Sequence, residues 1–156
     1  MATSRTDPKL EKAMRDSLKV YAAGNKRFFN YLQKDVRVYT LESSEPIVGR
    51  KAFESYFGPT FSKTKRKVAI VAKDVQLAGK QAILAQTLKI TANGVSSYIR
   101  QTVIWERDTG EWKMSHIHNA MVGQPVIVGK PPRTPQSIRV LNERIATVAA
   151  TVGMAQ

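Results

Sequence analysis

The chain contains no cysteine. This absence excludes disulfide bonds, thiol nucleophiles and thiolate-ligated zinc, so stability must come from packing or from subunit association. The sequence also has no apolar run near the roughly 20 residues that a membrane-spanning helix needs. Residues 1–8 lack the apolar segment of a secretory signal peptide. We therefore predict a cytoplasmic protein without membrane contact.

Acidic residues are scarce relative to basic ones. The chain has 12 Asp and Glu against 25 Lys and Arg, a formal net charge of +13 that favours anionic partners. The one dense basic cluster comprises Lys63, Lys65, Arg66 and Lys67, and it carries no interleaved aromatic residue. We interpret this cluster as a solvated strand entrance, with an anion-binding patch as the alternative. Nucleic acid is expected to bind only through non-specific electrostatic attraction.

Several catalytic signatures are missing as well. The sequence has no Ser-His-Asp order, nucleophile elbow, phosphate-binding loop or glycine-rich dinucleotide fingerprint. Nucleophilic hydrolysis and nucleotide chemistry are therefore not expected. We predict that the protein uses no cofactor.

The first half of the chain has helical periodicity. At 156 residues and 42% apolar content, the sequence suits one domain with a single core. Three helices are predicted: one capped by Thr6 or Asp7 and ending at Gly24, a short one opened by Asn25, and one led by Gly49 that Gly58-Pro59 stops. Residues 35–40 alternate as a strand does.

The second half switches to a period of two. Residues 68–78, 81–92, 95–107 and 111–121 read as four consecutive strands, and Asn93-Gly94 is a strong hairpin signal between two of them. Helices followed by an antiparallel meander predict an α+β fold in which a strongly curved sheet wraps the helices. We assign residues 1–123 to this domain.

Residues 124–156 form the second predicted unit. A connector from Gln124 to Pro135 precedes an amphipathic helix capped by Thr134, whose apolar stripe comprises Ile138, Leu141, Ile145, Val148 and Val152. This stripe packs either on its own sheet or on a second subunit, and we favour the second. An apolar outer sheet face carrying Ile99, Val103 and Trp105 adds to the case for a homo-oligomer, most simply a dimer.

Both histidines lie near the end of the last predicted strand. His116 and His118 are two residues apart, so the alternation of a strand puts them on one face with Trp112 and Met114. Two adjacent imidazoles suit proton transfer, metal ligation, or hydrogen bonding without chemistry. Because no third ligand is evident nearby, we predict no metal site.

Arg100 shares a strand face with Tyr98 and Thr102. If this face points inward, the arginine needs an anion, either Asp74 or a ligand carboxylate. If it points outward, Arg100 is a solvated arginine on the convex side.

An isomerase-like mechanism requires a carboxylate base and a tyrosine that holds an enolate oxygen. The available residues are Asp35, Asp74, Tyr39 and Tyr98, although Asp35 more simply ends the helix before it. The candidate catalytic residues are thus His116, His118, Tyr39 and Asp74.

A ligand pocket is predicted if the histidine face turns toward the aromatic residues of the helices, Tyr21, Phe28 and Phe53. Arg100 or Arg37 at its rim then favours a small molecule with an anionic oxygen, because a guanidinium offers paired donors. The candidate ligand-binding residues are Arg100, His116, His118, Tyr98, Arg37 and Trp112.

Two stretches also carry a family resemblance. The first comprises Thr102-Val103-Ile104-Trp105, Asp108-Thr109-Gly110, Trp112, His116 and His118, and it resembles the last hairpin of the calcium/calmodulin-dependent protein kinase II association domain. The second, residues 47–53 with Tyr56-Phe57, resembles the glycine-led helix start of the nuclear transport factor 2-like superfamily. Together they span roughly residues 9–122.

The resemblance implies a cone-shaped, cystatin-like fold and two classes of function. One is a small-molecule-binding or self-associating module similar to the kinase association domain. The other is a SnoaL-like cyclase, isomerase or dehydratase that acts on an apolar oxygenated substrate in the cone. Sequence does not decide between them, because one fold hosts both.

Overall fold

The computed structural model describes residues 7–41 and 44–127. Its elements follow the predicted α+β order. They are α1 (Pro8–Ala22), a 3-10 helix (Lys26–Tyr31), β1 (Leu32–Tyr39), β2 (Ile47–Val48), α2 (Arg50–Phe61), β3 (Lys67–Ala78), β4 (Gln81–Ala92), β5 (Val95–Asp108) and β6 (Glu111–Ile127). The predicted C-terminal helix lies outside the described residues, so it remains a prediction, as does the division into two units.

Helix α1 begins and ends as the sequence predicts. The Asp7 carboxylate accepts hydrogen bonds from the backbone N–H groups of Lys9 and Leu10, at 2.9 and 3.2 Å. Beyond its C-terminus, Gly24 has a φ of +68°, and a β-carbon there would lie 2.8 Å from the Phe61 carbonyl oxygen. Only glycine fits this close approach between the ends of the two helices.

The six strands form one sheet in the order β2-β1-β6-β5-β4-β3. Strands β3 to β6 make the predicted antiparallel meander, and β1 pairs with β6 in parallel. The first strand therefore lies beside the last one, which places both histidines next to Arg37 and Tyr39. The sheet curves around α1, α2 and the 3-10 helix, and the apolar core fills the space between them.

Helix α2 runs past the point where we predicted that Gly58-Pro59 would stop it. It includes Pro59 and ends at Phe61, so that boundary was wrong. A proline in the last turn removes one hydrogen bond, while Phe61 is fully buried with its ring centroid 4.9 Å from that of Phe57. The aromatic contact outweighs the lost hydrogen bond.

Strand β6 also extends further than its predicted end at Met121. It reaches Ile127, which pairs with Val95 at the start of β5, so part of the predicted connector is strand. A long β5 has backbone groups that need partners along its whole length, and the extension supplies them.

The basic cluster is not uniformly solvated, and that interpretation was wrong for Arg66. This side chain is 5% exposed, and its Nη1 donates to the carbonyl oxygen of Tyr21 at 2.7 Å. Its guanidinium lies over the rings of Tyr21 and Phe61. Arg66 therefore links the C-terminal ends of α1 and α2, where helix carbonyls lack internal donors.

Candidate small-molecule site

A bulge in β6 separates the residues that were predicted to share one face. Trp105 pairs with Met114, while its neighbour Ile104 pairs with His116, so Ser115 is an extra residue opposite β5. Trp112 and Met114 are buried toward the helices, and the two histidines lie on the opposite, convex face. The predicted common face of Trp112, Met114 and both histidines was therefore wrong, because one inserted residue reverses the alternation.

The histidines form a cluster on the convex face. The Tyr39 ring centroid lies 5.4 Å from that of His116 and 5.8 Å from that of His118. Arg37 is paired with His116 across the parallel ladder. Partial burial, and then the nearby charges of His118 and Arg37, lower the pKa of His116 below its ordinary value.

Other predicted ligand residues also lie on the convex face, away from the helices. Arg100 and Tyr98 are exposed there, with Arg100 opposite Thr87 and Ala120. Asp74 lies on the edge strand in a different cross-strand row, so the predicted Arg100–Asp74 pairing gains no support from the register. Asp35 is exposed in β1. The structure thus groups Arg37, Tyr39 and the histidines, and leaves Trp112 on the other face.

The concave face carries the apolar side chains of β5 that the sequence predicts on the outer face. Ile99, Val103 and Trp105 are almost fully buried there, and that prediction was wrong. The helices cover this face, so the apolar side chains of β5 are buried against them.

A cavity of about 430 Å³ lies between α1 and the concave face. Its apolar wall includes Met14, Tyr21, Leu84, Val103, Trp105 and Ile117. The Nε1 of Trp105 finds no hydrogen-bond acceptor among the described residues. An apolar cavity of this size with a few polar groups has the usual composition of a small-molecule site.

Three amides form a hydrogen-bonded row across the floor of the cavity, and we call them the amide row: Gln86, Gln101 and Asn119. They are direct cross-strand neighbours on β4, β5 and β6. Gln86 Nε2 donates to Gln101 Oε1 at 2.7 Å, and Gln101 Nε2 donates to Asn119 Oδ1 at 3.0 Å. Asn119 Nδ2 donates to the backbone oxygen of Tyr39 at 3.3 Å.

The mouth of the cavity, between α1 and β3, is charged. Lys73 is paired with Gln86 in the sheet, and its Nζ lies 3.2 Å from Glu11 Oε2 on α1. Arg15 and Lys19 of α1 also line the opening. An anionic group on a ligand would therefore contact Arg15 and Lys19 at the mouth of the cavity, because the described residues of the inner wall offer no cation.

The ionisable groups of the cavity wall are few. Burial raises the pKa of the Tyr21 hydroxyl well above its ordinary value, so this group stays protonated at neutral pH. Among the described residues that line the cavity, Glu11 at the mouth is the only carboxylate, and there is no histidine. This arrangement suits hydrogen bonding to a ligand better than proton abstraction from one.

Sequence reasoning missed the amide row. The sequence correctly predicts that Gln101 lies on the same strand face as Ile99 and Val103, but it indicates no role for this residue. The signal in the sequence was one polar residue at an otherwise apolar, inward-facing position in each of three adjacent strands. On β4 this residue, Gln86, lies between Leu84 and Leu88.

The described residues contain no group of three potential metal ligands. Of the described helices, none is long and apolar enough to cross a membrane.

Comparisons with known proteins agree on the fold. A family model described as SnoaL-like domain matches residues 10–123. Sequence comparison with curated proteins finds no match. A nuclear transport factor 2-like protein of unknown function from Pseudomonas putida is 13% identical, with a TM-score of 0.67, covering 78% of this chain and 94% of its own.

Two further solved structures have different printed descriptions. The S. rosetta calcium/calmodulin-dependent protein kinase II hub is 18% identical, with a TM-score of 0.60, covering 76% of this chain and 99% of its own. A candidate ketosteroid isomerase from Parabacteroides distasonis is 16% identical, with a TM-score of 0.64, covering 78% and 93%. At these identities the likeness shows the cone-shaped α+β fold alone.

Proposed function

The chain belongs to the SnoaL-like domain family, and we propose that it is a small-molecule-binding module whose ligand occupies the concave cavity. The observation that carries this proposal is the cavity itself, in which an apolar wall surrounds the amide row. Apolar burial supplies affinity in such a site, and a few fixed polar groups supply orientation. The charged mouth adds a place for an anionic oxygen beside Arg15 and Lys19, in place of the predicted Arg100 and Arg37.

The catalytic alternative, a cyclase, isomerase or dehydratase, has less support. Such an enzyme needs a base or acid within hydrogen-bond reach of the substrate. The predicted catalytic residues His116, His118 and Asp74 lie on the convex side of the sheet, away from the cavity wall. The amides that do reach the cavity neither gain nor lose protons near neutral pH.

The proposal is tested by blocking the mouth. Ile70 lines the cavity and is 49% exposed, so a tryptophan there narrows the opening without entering the core. Val71 is 57% exposed and outside the cavity lining, which makes it a matched control. We expect Ile70→Trp to weaken binding of naphthalene, a neutral apolar probe, by at least about tenfold, and Val71→Trp to leave it unchanged. Equal binding by both variants, or no binding by the wild type, would contradict the proposal.

Self-association is a second proposed property, and the predicted homo-oligomer now rests on different residues. The convex face exposes four large apolar side chains on four different strands, Val48, Ile83, Tyr98 and Val122, of which Tyr98 and Val122 are direct cross-strand neighbours. A second copy of the chain is the partner we propose, since an isologous contact covers the same face on both subunits. Likeness to a kinase hub is consistent with this proposal.

Sedimentation tests the association. We expect a dimer of the 17.4 kDa chain in the wild type and a monomer in the Ile83→Lys, Tyr98→Lys double variant. Tyr56 is 40% exposed and belongs to α2, which packs on the concave side of the sheet, so Tyr56→Lys is the control and should remain dimeric. A wild-type monomer at micromolar concentration would refute the dimer. Deletion of residues 134–156 should weaken association if the predicted C-terminal helix crosses between subunits.

A further inference from the structure

We propose that the ligand carries a hydroxyl group that donates a hydrogen bond to Gln86 Oε1, at the open end of the amide row. This inference rests on the proposed function, because it names the chemical class of molecule that the cavity takes. The class is an apolar alcohol or phenol, as opposed to an ether or a ketone of the same shape. The direction of the hydrogen bonds in the amide row carries it.

The direction of the amide row is set at its closed end, by Tyr39. The backbone oxygen of Tyr39 is an acceptor only, so the amide that contacts it must present its nitrogen. Asn119 Nδ2 therefore donates to Tyr39 O, and Asn119 Oδ1 must point back toward Gln101. The Asn119 side chain is 5% exposed, and the backbone oxygen of Tyr39 determines which end of its amide is the nitrogen and which is the oxygen.

The orientation of Asn119 also determines the orientation of the other two amides. Because Asn119 Oδ1 is an acceptor, Gln101 must present its Nε2 to it, and Gln101 Oε1 then faces Gln86. That oxygen in turn requires a nitrogen from Gln86. Each amide consequently has one permitted orientation. The row ends at Gln86 with a carbonyl oxygen that none of the three amides uses.

The surroundings of Gln86 leave this oxygen for a ligand. Gln86 is 8% exposed and lines the cavity, and its neighbours along the concave side of β4 are Leu84 and Leu88, which have no side-chain donor. Lys73 is paired with Gln86 across the strands, but its ammonium group is bonded to Glu11 at the mouth. Among the described hydrogen bonds none reaches Gln86 Oε1, and this oxygen is not fully buried, so it is open to the cavity and a ligand that donates to it gains affinity there.

A hydroxyl fits this end of the row better than an N–H or a carbonyl group. Each amide nitrogen carries two hydrogens and uses one within the row, so the site also offers spare donors. A hydroxyl donates to Gln86 Oε1 and can accept from a spare amide N–H at the same time. A ketone or ether only accepts and leaves the carbonyl oxygen of Gln86 unsatisfied.

The experiment compares 2-naphthol with 2-methoxynaphthalene by calorimetry at neutral pH. The two probes share the ring system, and only the first can donate a hydrogen bond. We expect the wild-type protein to bind 2-naphthol roughly three- to tenfold more tightly, the range for one neutral hydrogen bond. Gln86→Met keeps the length of the side chain and removes its acceptor, so this preference should disappear. Gln81→Met, on the same strand but outside the cavity lining, should keep it.

The outcomes separate this inference from the proposed function. If both probes bind the wild type equally well, or if Gln86→Met retains the preference, the hydroxyl inference is overturned and the cavity proposal stands. If neither probe binds, the proposed function itself fails. The wild-type preference is measured without any substitution, so the inference remains testable even if Gln86→Met does not fold.

Discussion

Arg66 contacts Tyr21 in two ways at once. Its Nη1 lies 2.7 Å from the Tyr21 carbonyl oxygen, and its guanidinium carbon lies 4.9 Å from the centroid of the Tyr21 ring. Burial lowers the pKa of Arg66, yet no side-chain carboxylate contacts it among the described ion pairs. Helix carbonyls and aromatic faces therefore stabilise this charge in place of a counter-ion.

Removing this arginine should destabilise the fold. Arg66→Met leaves the C-terminal carbonyls of α1 and α2 without their donor, so we expect a loss of about 2–4 kcal/mol in the free energy of unfolding. Lys65→Met changes an exposed neighbour and should cost less than about 0.5 kcal/mol. Urea unfolding of both variants measures the difference. Equal stabilities would show that Arg66 is dispensable.

The two faces of β6 can be tested with adjacent substitutions. Ile117 follows the bulge and is buried on the concave face of the sheet, whereas His118 is exposed on the convex face. Ile117→Asp should therefore lower the free energy of unfolding by about 3 kcal/mol or more, and His118→Asp by less than about 0.5 kcal/mol. Thermal or urea unfolding gives both values. The reverse order would mean that the alternation continues through Ser115.

The depressed pKa of His116 predicts a pH dependence with a definite sign. The folded state binds this proton less readily than the unfolded state, whose pKa is near the ordinary 6.5. Stability is then constant above this value and falls as the pH drops from there to the folded-state pKa. His116→Gln should flatten this dependence, measured as the melting temperature against pH. An NMR titration should give a pKa for His116 below 6.5 that rises in Arg37→Gln.

Polyanion binding should depend on the lysines of the basic cluster and not on Arg66. We expect Lys63→Glu, Lys65→Glu and Lys67→Glu together to abolish most of the retention on heparin, since these side chains are exposed. Three reversals elsewhere, at Lys9, Lys26 and Lys51, change the net charge equally and serve as the control. Binding that persists at high salt or depends on nucleic-acid sequence would contradict a purely electrostatic origin.

Much of the fold was predictable because local signals agreed with one another. The Asp7 cap, the Asn93-Gly94 turn and the alternation of β4 each correspond to a short-range physical preference, and the structure confirms all three. The resemblance to nuclear transport factor 2-like proteins pointed to the same cone, and the family match confirms it.

The orientation of the histidines was not predicted, because it depends on one bulge. Ile117 is out of phase with Met114, and the polar pair Ser115-His116 lies between them, which was a weak signal of an insertion. The bulge lets the apolar residues before it and those after it all point into the core, and this requirement comes from tertiary packing. Arg66 was misread for a similar reason, since its partners are backbone carbonyls far away in sequence.

The central claim is that a small molecule binds on the concave side of the sheet, against the amide row. Leu84 lines the cavity, and its neighbour Ile83 is exposed on the convex face, so their methyl groups report on the two sides. Methyl NMR spectra recorded during a titration with 2-naphthol test the claim most directly. We expect saturable shifts for Leu84 and Val103, and no shifts for Ile83 and Val122. Shifts confined to Ile83, Val122 and the ring protons of His116 would contradict it and assign the binding site to the convex face.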